Sequence, residues 1–151
     1  MKLSAVLITR NEEKNIEMCL KSVLLADEVI VVDSGSSDRT PELARALAAR
    51  VVSRPFDDFA SQKNYAAGLA AGEWILSVDA DERVGAALKN EILGVIGKED
   101  AVDAYRIRRR TNFFGRDFKA GGLQEDAPAR LFRRGRARFV NPVHEIGRAH
   151  V

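Results

Sequence analysis

Apolar positions change their period along this chain, and the changes divide it into elements. Leu3–Thr9 is a continuous β-branched run, the pattern of a strand covered on both faces. Asn11-Glu12-Glu13 follows, which predicts a helix start with Asn11 as N-cap and acids in the first turn. Ile16, Cys19, Leu20, Val23 and Leu24 then recur at helical spacing along one face. Glu28–Asp33 is a second apolar strand, and Ser34-Gly35-Ser36-Ser37-Asp38 is a turn rich in residues that bond their own backbone. A helix is predicted over 40–49, with Pro41 tolerated in its first turn. Arg50–Ser53 reads as a short third strand, and 56–71 as mostly helix closed by Gly72. Residues 74–82 read as a fourth strand that ends in carboxylates.

Past this stretch the pattern loosens. A helix is predicted over 84–96 with Leu88, Ile92 and Val95 on one face, then a strand over 103–110 with one wet face. Residues 111–125 are rich in Gly and aromatics and read as a flexible loop. A strand over 129–134 follows, and Gly135 turns into Ala137-Arg138-Phe139-Val140. Strands without alternation, separated by helices and short links, imply a mostly parallel α/β sheet with helices on both faces, a Rossmann-like arrangement. Ligands of such sheets sit beyond the carboxyl ends of the strands. The notable polar residues gather there: Thr9, Arg10 and Asn11 after the first strand, Asp33 and Ser34 after the second, Arg54 after the third, Asp79 and Asp81 after the fourth.

The last pair carries the clearest chemistry. Alternation along an extended strand points Asp79 and Asp81 the same way, about 7 Å apart. Two such carboxylates suit a small divalent cation, with substrate phosphates and waters filling its other positions. The competing reading is that these acids only end a strand and cap the next helix.

Composition sets the bounds. At 151 residues, 46% hydrophobic and 30% charged, the chain has the profile of one globular domain. A single cysteine, Cys19, excludes a disulfide framework or a multi-cysteine metal site. No apolar run reaches the roughly 18 residues of a membrane span, and no signal peptide opens the chain, so a cytoplasmic location is expected. The net charge of +2 hides an asymmetry: residues 106–138 hold eleven Lys or Arg against three acids, while 1–105 hold twelve against eighteen. Such a basic segment suits a phosphate-rich partner, or is simply a solvated face.

Six segments together carry a family signature. They are Val6-Leu7-Ile8-Thr9-Arg10-Asn11-Glu12-Glu13, Val31-Val32-Asp33-Ser34-Gly35-Ser36-Ser37-Asp38-Arg39-Thr40, Gln62-Lys63-Asn64-Tyr65-Ala66, Trp74-Ile75-Leu76-Ser77-Val78-Asp79-Ala80-Asp81-Glu82-Arg83, Arg130-Leu131-Phe132-Arg133-Arg134 and Val143-His144-Glu145. In this order and spacing the chain resembles the family 2 glycosyltransferases of GT-A fold, nearest to those of the lipopolysaccharide inner core. The resemblance implies an inverting transfer from a nucleotide-diphosphate sugar, with UDP the expected nucleotide, and a divalent Mg²⁺ or Mn²⁺. The implied acceptor is a lipopolysaccharide core or another glycan or lipid-linked molecule. It places the protein in the cytoplasm, in possible peripheral contact with the anionic inner membrane.

Carried over by position, Thr9 and Asp33 line the base and ribose pocket. Asn11, Glu12, Ser34 and Arg54 belong to the same nucleotide-sugar site. Lys63 approaches the diphosphate, Asp81 is the direct metal ligand, and Asp79 holds the ribose or the metal shell. The pair Asp33-Ser34 stands where relatives often have two acids. Asp126, then Glu145, are the candidates for the general base that activates the acceptor hydroxyl, and each also reads as a turn acid or a partner of nearby arginines. His144 reads as a further metal ligand, a phosphate contact or a structural histidine.

Other classes fit less well. A nucleotidyltransferase making activated sugars would need a glycine-rich loop after the first strand, where Thr9-Arg10-Asn11-Glu12 has no glycine. A nucleic-acid-binding module would need stacking aromatics on a platform, and Phe113, Phe114 and Phe118 are few. No Gly-x-Gly-x-x-Gly follows the first strand, against a dinucleotide oxidoreductase. Nucleic acid is therefore not an expected partner. Finally, Ile146-Gly147-Arg148-Ala149-His150-Val151 resembles the translation of a sequencing adapter. The expected organisation is a catalytic domain over 1–145, incomplete at its C-terminus, with a non-native tail over 146–151.

Overall fold

The computed structural model describes the backbone of residues 1–110, 113–120, 129–140 and 148–150, and the side chains of 1–107 and 129–140. The chain runs β1 (Leu3–Thr9), α1 (Ile16–Ser22), β2 (Glu28–Asp33), α2 (Thr40–Ala46), β3 (Arg50–Ser53), α3 (Phe59–Leu69), β4 (Trp74–Ser77), α4 (Ala86–Ile96), β5 (Ala104–Arg110), β6 (Phe113–Ala120), β7 (Ala129–Arg133), β8 (Arg138–Val140) and β9 (Arg148–His150). Seven strands form one sheet in the order β3-β2-β1-β4-β7-β5-β6, and β8 pairs with β9 in a second. The first four are parallel and the last three antiparallel. The expected mostly parallel start is present, and β7 inserts beside β4 from far along the chain.

Strand alternation divides the core between the two faces. Leu3, Ala5 and Leu7 pack with Val31, Trp74 and Leu76 under α1, α2 and α4. Val6, Ile30, Val32, Ile75 and Phe132 face Ala60 and Ala66 of α3, with Phe139 of β8. The inner parallel strands β1, β2 and β4 are therefore apolar on both sides, which is why their sequences do not alternate.

Four local expectations are revised. The α1 N-cap is Asn15, not Asn11; Asn11 sits at φ +52°, a left-handed conformation that Asn tolerates. The strand expected over 74–82 ends at Ser77, and Asp79 to Glu82 form a turn closed by the Glu82 N–H on the Asp79 carbonyl at 2.9 Å. The loop expected over 111–125 contains β6, paired to β5. Gly72 does not cap α3, whose C-cap is Ala70 in extended backbone.

Gly72 instead touches β1. A Cβ there would lie 2.7 Å from Ser4 Oγ and 2.8 Å from Ser4 N. The Gly72 N–H donates to Ser4 Oγ at 2.9 Å, and that hydroxyl donates to Glu28 Oε2 at 2.7 Å. One glycine thus lets the α3–β4 link approach β1 closely enough to satisfy a fully buried serine. Gly72→Ala is expected to cost about 1–3 kcal/mol of stability, as overpacking against backbone does. Denaturant midpoints of the two proteins measure it.

Candidate functional site

Three loops at the carboxyl edge of the parallel strands meet the first turns of α3. The β1–α1 loop and the β2–α2 turn are tied together by side chains. Thr9 Oγ1 donates to Asp33 Oδ1 at 2.8 Å, and Ser36 donates to Asp33 through its hydroxyl at 2.6 Å and its N–H at 2.9 Å. Ser36 Oγ in turn accepts the Asn11 N–H at 2.8 Å, and Asn11 Oδ1 accepts the Ser37 N–H at 2.8 Å. Asp33 is 4% exposed, so its carboxylate organises this rim from beneath. Further along, the Glu12 N–H donates to Thr40 Oγ1 at 2.8 Å.

The turn after β4 is built in the same way. Glu82 Oε1 accepts the Asp79 N–H at 2.8 Å, and Glu82 Oε2 lies 3.1 Å from Arg130 Nη2. Arg130 comes from β7 and also lies 3.5 Å from Asp79 Oδ2. From the other side Lys63 Nζ, on α3, is 3.8 Å from Asp79 Oδ1 and 5.4 Å from the Phe139 ring centre. Glu82 is fully buried, whereas the side chain of Asp79 is one-third exposed. Burial pushes the Lys63 ammonium below the usual lysine range, with Asp79 opposing the shift. Burial, and then the charges of Asp81 and Asp79, raise the Glu12 carboxyl above its ordinary value.

These elements enclose a cleft of about 520 Å³. Its walls include Thr9, Arg10, Glu12 and Ser34 on one side, Asp79 and Asp81 on another, and Gln62, Lys63, Phe56 and Phe59 of the α3 region on a third. Of the residues singled out from sequence, Thr9, Glu12, Ser34, Lys63, Asp79 and Asp81 therefore come together. Asp33 and Asn11 support that rim, and Arg54 holds Gln62 from behind through Nη1 to Oε1 at 2.6 Å. Asp126, His144 and Glu145 lie outside the described residues.

Four participants escaped the sequence reading. Glu82 and Arg130 stand within motifs already quoted, but their pairing spans 48 residues. The signal was a basic residue inside the apolar run Ala129-Arg130-Leu131-Phe132. Phe56 and Phe59 form an edge-to-face pair at 5.1 Å, and both stay over 40% exposed at the cleft mouth. The basic run is partly structural: Arg133 stacks on Trp74 at 4.6 Å and Arg134 Nε donates to the Gly72 carbonyl at 3.0 Å.

Chemically, the cleft sets carboxylates opposite a cation. Among the described residues no group of three His, Cys, Asp or Glu is arranged to hold a metal ion. Asp79 and Asp81 offer two carboxylates, which fits Mg²⁺ or Mn²⁺ completed by phosphate oxygens and water better than a protein-only cage. No helix among the described residues is long and apolar enough to cross a membrane.

Comparison with known proteins agrees with this architecture. Residues 4–148 match the family model described as glycosyl transferase family 2. The lipopolysaccharide core biosynthesis glycosyltransferase LpsC of Rhizobium meliloti (strain 1021) is 31% identical over 150 residues, covering 95% of this chain and 56% of LpsC. The chain spans between about a quarter and little over half of the length of curated relatives it matches. The fold is similar to S. aureus TarS in complex with UDP-GlcNAc, with TM-score 0.54, 27% identity and coverage of 64% of this chain and 31% of that one. It is also similar to glucosyl-3-phosphoglycerate synthase from Mycobacterium tuberculosis in complex with Mn²⁺, UDP and glucosyl-3-phosphoglycerate. There the TM-score is 0.52 at 28% identity, over 64% of this chain and 38% of that one. With a family model matched along nearly its whole length and the sheet and helices of its structural neighbours, the chain belongs to the family 2 glycosyl transferases and has the GT-A fold.

Proposed function

We propose that the cleft binds a nucleotide-diphosphate sugar, with UDP the preferred nucleotide, and that the whole protein transfers the sugar with inversion to a lipopolysaccharide-core or other glycan or lipid-linked acceptor. The observation that carries this reading is the meeting of Thr9, Ser34, Lys63, Asp79 and Asp81, from separate elements, on one cleft. Relatives lend support: a synthase of the same fold was crystallised with Mn²⁺ and UDP, and TarS with UDP-GlcNAc. LpsC is named for lipopolysaccharide core biosynthesis, which favours that acceptor class.

In this reading Thr9 and Ser34, held by Asp33, Asn11 and Ser36, receive the base and ribose. Arg54 fixes Gln62, and Glu12 sits beside the acids. Asp81 and Asp79 hold Mg²⁺ or Mn²⁺, which supplies neutralisation of the leaving diphosphate when bound. Lys63 faces the same phosphates. Asp126 or Glu145 takes the proton of the acceptor hydroxyl, and His144 supports the metal or phosphate. In this reading the exposed Arg136 and Arg138 of the basic segment face an anionic membrane surface, at the cytoplasmic face of the inner membrane.

Phe56 and Phe59 offer a stacking face beside the ribose pocket. Phe56→Ala is expected to weaken UDP binding by about 1 kcal/mol, the low end of base–aromatic stacking. Calorimetry with CDP and UDP checks it, since stacking loss affects both pyrimidines alike.

A panel of nucleoside diphosphates titrated with and without Mn²⁺ tests the whole reading. Manganese-dependent binding that favours UDP is expected. Equal binding of every nucleotide regardless of metal would overturn it.

A further inference from the structure

Behind the acidic turn lies a charge arrangement that the proposed transfer does not by itself require. Arg130 Nη2 stands between two carboxylates, 3.1 Å from Glu82 Oε2 and 3.5 Å from Asp79 Oδ2. Glu82 is fully buried and Arg130 is 4% exposed, while Asp79 reaches the cleft. The two oxygens of Glu82 have separate tasks. One accepts the Asp79 N–H and fixes the turn; the other holds the guanidinium. Lys63 approaches Asp79 from the opposite side at 3.8 Å. Asp79 is thus flanked by two buried cations, one of which it shares.

We propose that Glu82 and Arg130 are a positioning pair that divides positive charge between the fold and the cleft. Glu82 draws the guanidinium toward itself, which leaves the Asp79 carboxylate able to hold a divalent cation. The inference rests on the reading of this cleft as a metal-dependent nucleotide-diphosphate site. Its physical basis is competition in a poorly solvated place. A guanidinium shared by two carboxylates pairs fully with whichever stays ionised, because little water is there to screen it. Neutralising Glu82 therefore turns Arg130 wholly onto Asp79. That lowers the carboxylate's capacity for metal and leaves one extra positive charge facing the phosphates. Removing Arg130 has the reverse effect on both.

The consequences differ in sign from those of a loosened fold. Glu82→Gln keeps the length of the side chain and an oxygen for the Asp79 N–H. It is expected to strengthen metal-free UDP binding and to cut the Mn²⁺-dependent gain in affinity roughly tenfold, the scale of coupling between close charges. Arg130→Met, similar in reach without charge, is expected to weaken metal-free binding and enlarge that gain. Arg130→Lys restores values near wild type. The measurement is calorimetric titration of the 151-residue chain with UDP, with and without Mn²⁺, beside thermal midpoints. If Glu82→Gln does not fold, the Arg130→Met and Arg130→Lys comparison decides alone. Variants that lose affinity by one factor in both conditions have a structural defect only, and overturn the inference. A wild-type chain that binds no UDP under either condition overturns the reading of the cleft and this inference with it.

Discussion

Asp81→Ala is expected to abolish the Mn²⁺-dependent part of UDP binding while leaving the fold intact. The carboxylate lies in the turn after β4 and faces the cleft, half out of the core. Its removal opens no cavity among buried apolar side chains, so stability should move within about 0.5 kcal/mol. Binding should move far more. Among the described residues no third ligand joins Asp79 and Asp81 in an arrangement that could hold a cation, and Asp79 is already flanked by Lys63 and Arg130. Losing one of two anionic ligands removes most of the metal's hold on a diphosphate. A bound metal is worth several kcal/mol of charge neutralisation, so the metal-dependent gain in affinity should fall about 10²-fold to 10³-fold. Titration with and without Mn²⁺ measures it. Survival of the full gain in Asp81→Ala would remove Asp81 from the site and with it the two-carboxylate arrangement.

The parts of this site that were legible in the sequence are those that local patterns control. β1 and β2 lie where continuous β-branched runs end in polar residues, because strands buried on both faces have no alternation to obscure their bounds, and the short edge strand β3 is marked by its Val51-Val52 pair. The rule that ligands gather beyond the carboxyl ends of parallel strands is enough to group Thr9, Ser34 and Asp79 from the sequence alone. What was illegible depends on distant partners. Extended alternation pointed Asp79 and Asp81 one way, and they do share a cleft, but through a turn held by the Glu82 carboxylate. That carboxylate is in turn held by Arg130 on a strand far along the chain. Asn11 has the right chemistry for an N-cap, yet its side chain is spent on Ser37 across the rim. β6 hides in a Gly- and aromatic-rich stretch because its pairing with β5 decides its conformation. In each case a tertiary hydrogen bond or strand pairing overrode a local preference.

Lys63 gives the second large effect, and here stability and function should part. Its side chain is nearly fully buried, and burial holds its ammonium below the usual lysine range. The fold therefore carries a desolvated charge that Asp79, at 3.8 Å, only partly compensates. Lys63→Met keeps the length of the stem that packs along α3 and removes that charge. Thermal stability should change little, since the relieved desolvation offsets the lost attraction and the one-third-exposed Asp79 keeps Arg130 at 3.5 Å. Turnover of the UDP-sugar should nonetheless fall about 10²-fold to 10³-fold, the cost of deleting one preorganised donor aimed at developing charge. The loss should be larger in kcat than in UDP affinity, because the diphosphate gains charge as the glycosidic bond breaks and the cation matters most at that point. Lys63→Arg keeps a charge at a different reach and should recover only part of the rate. A Lys63→Met protein that is destabilised yet turns over normally would make Lys63 a packing residue whose charge lies idle. A protein as stable as wild type but slow would show that the fold bears a buried cation for the sake of the leaving group.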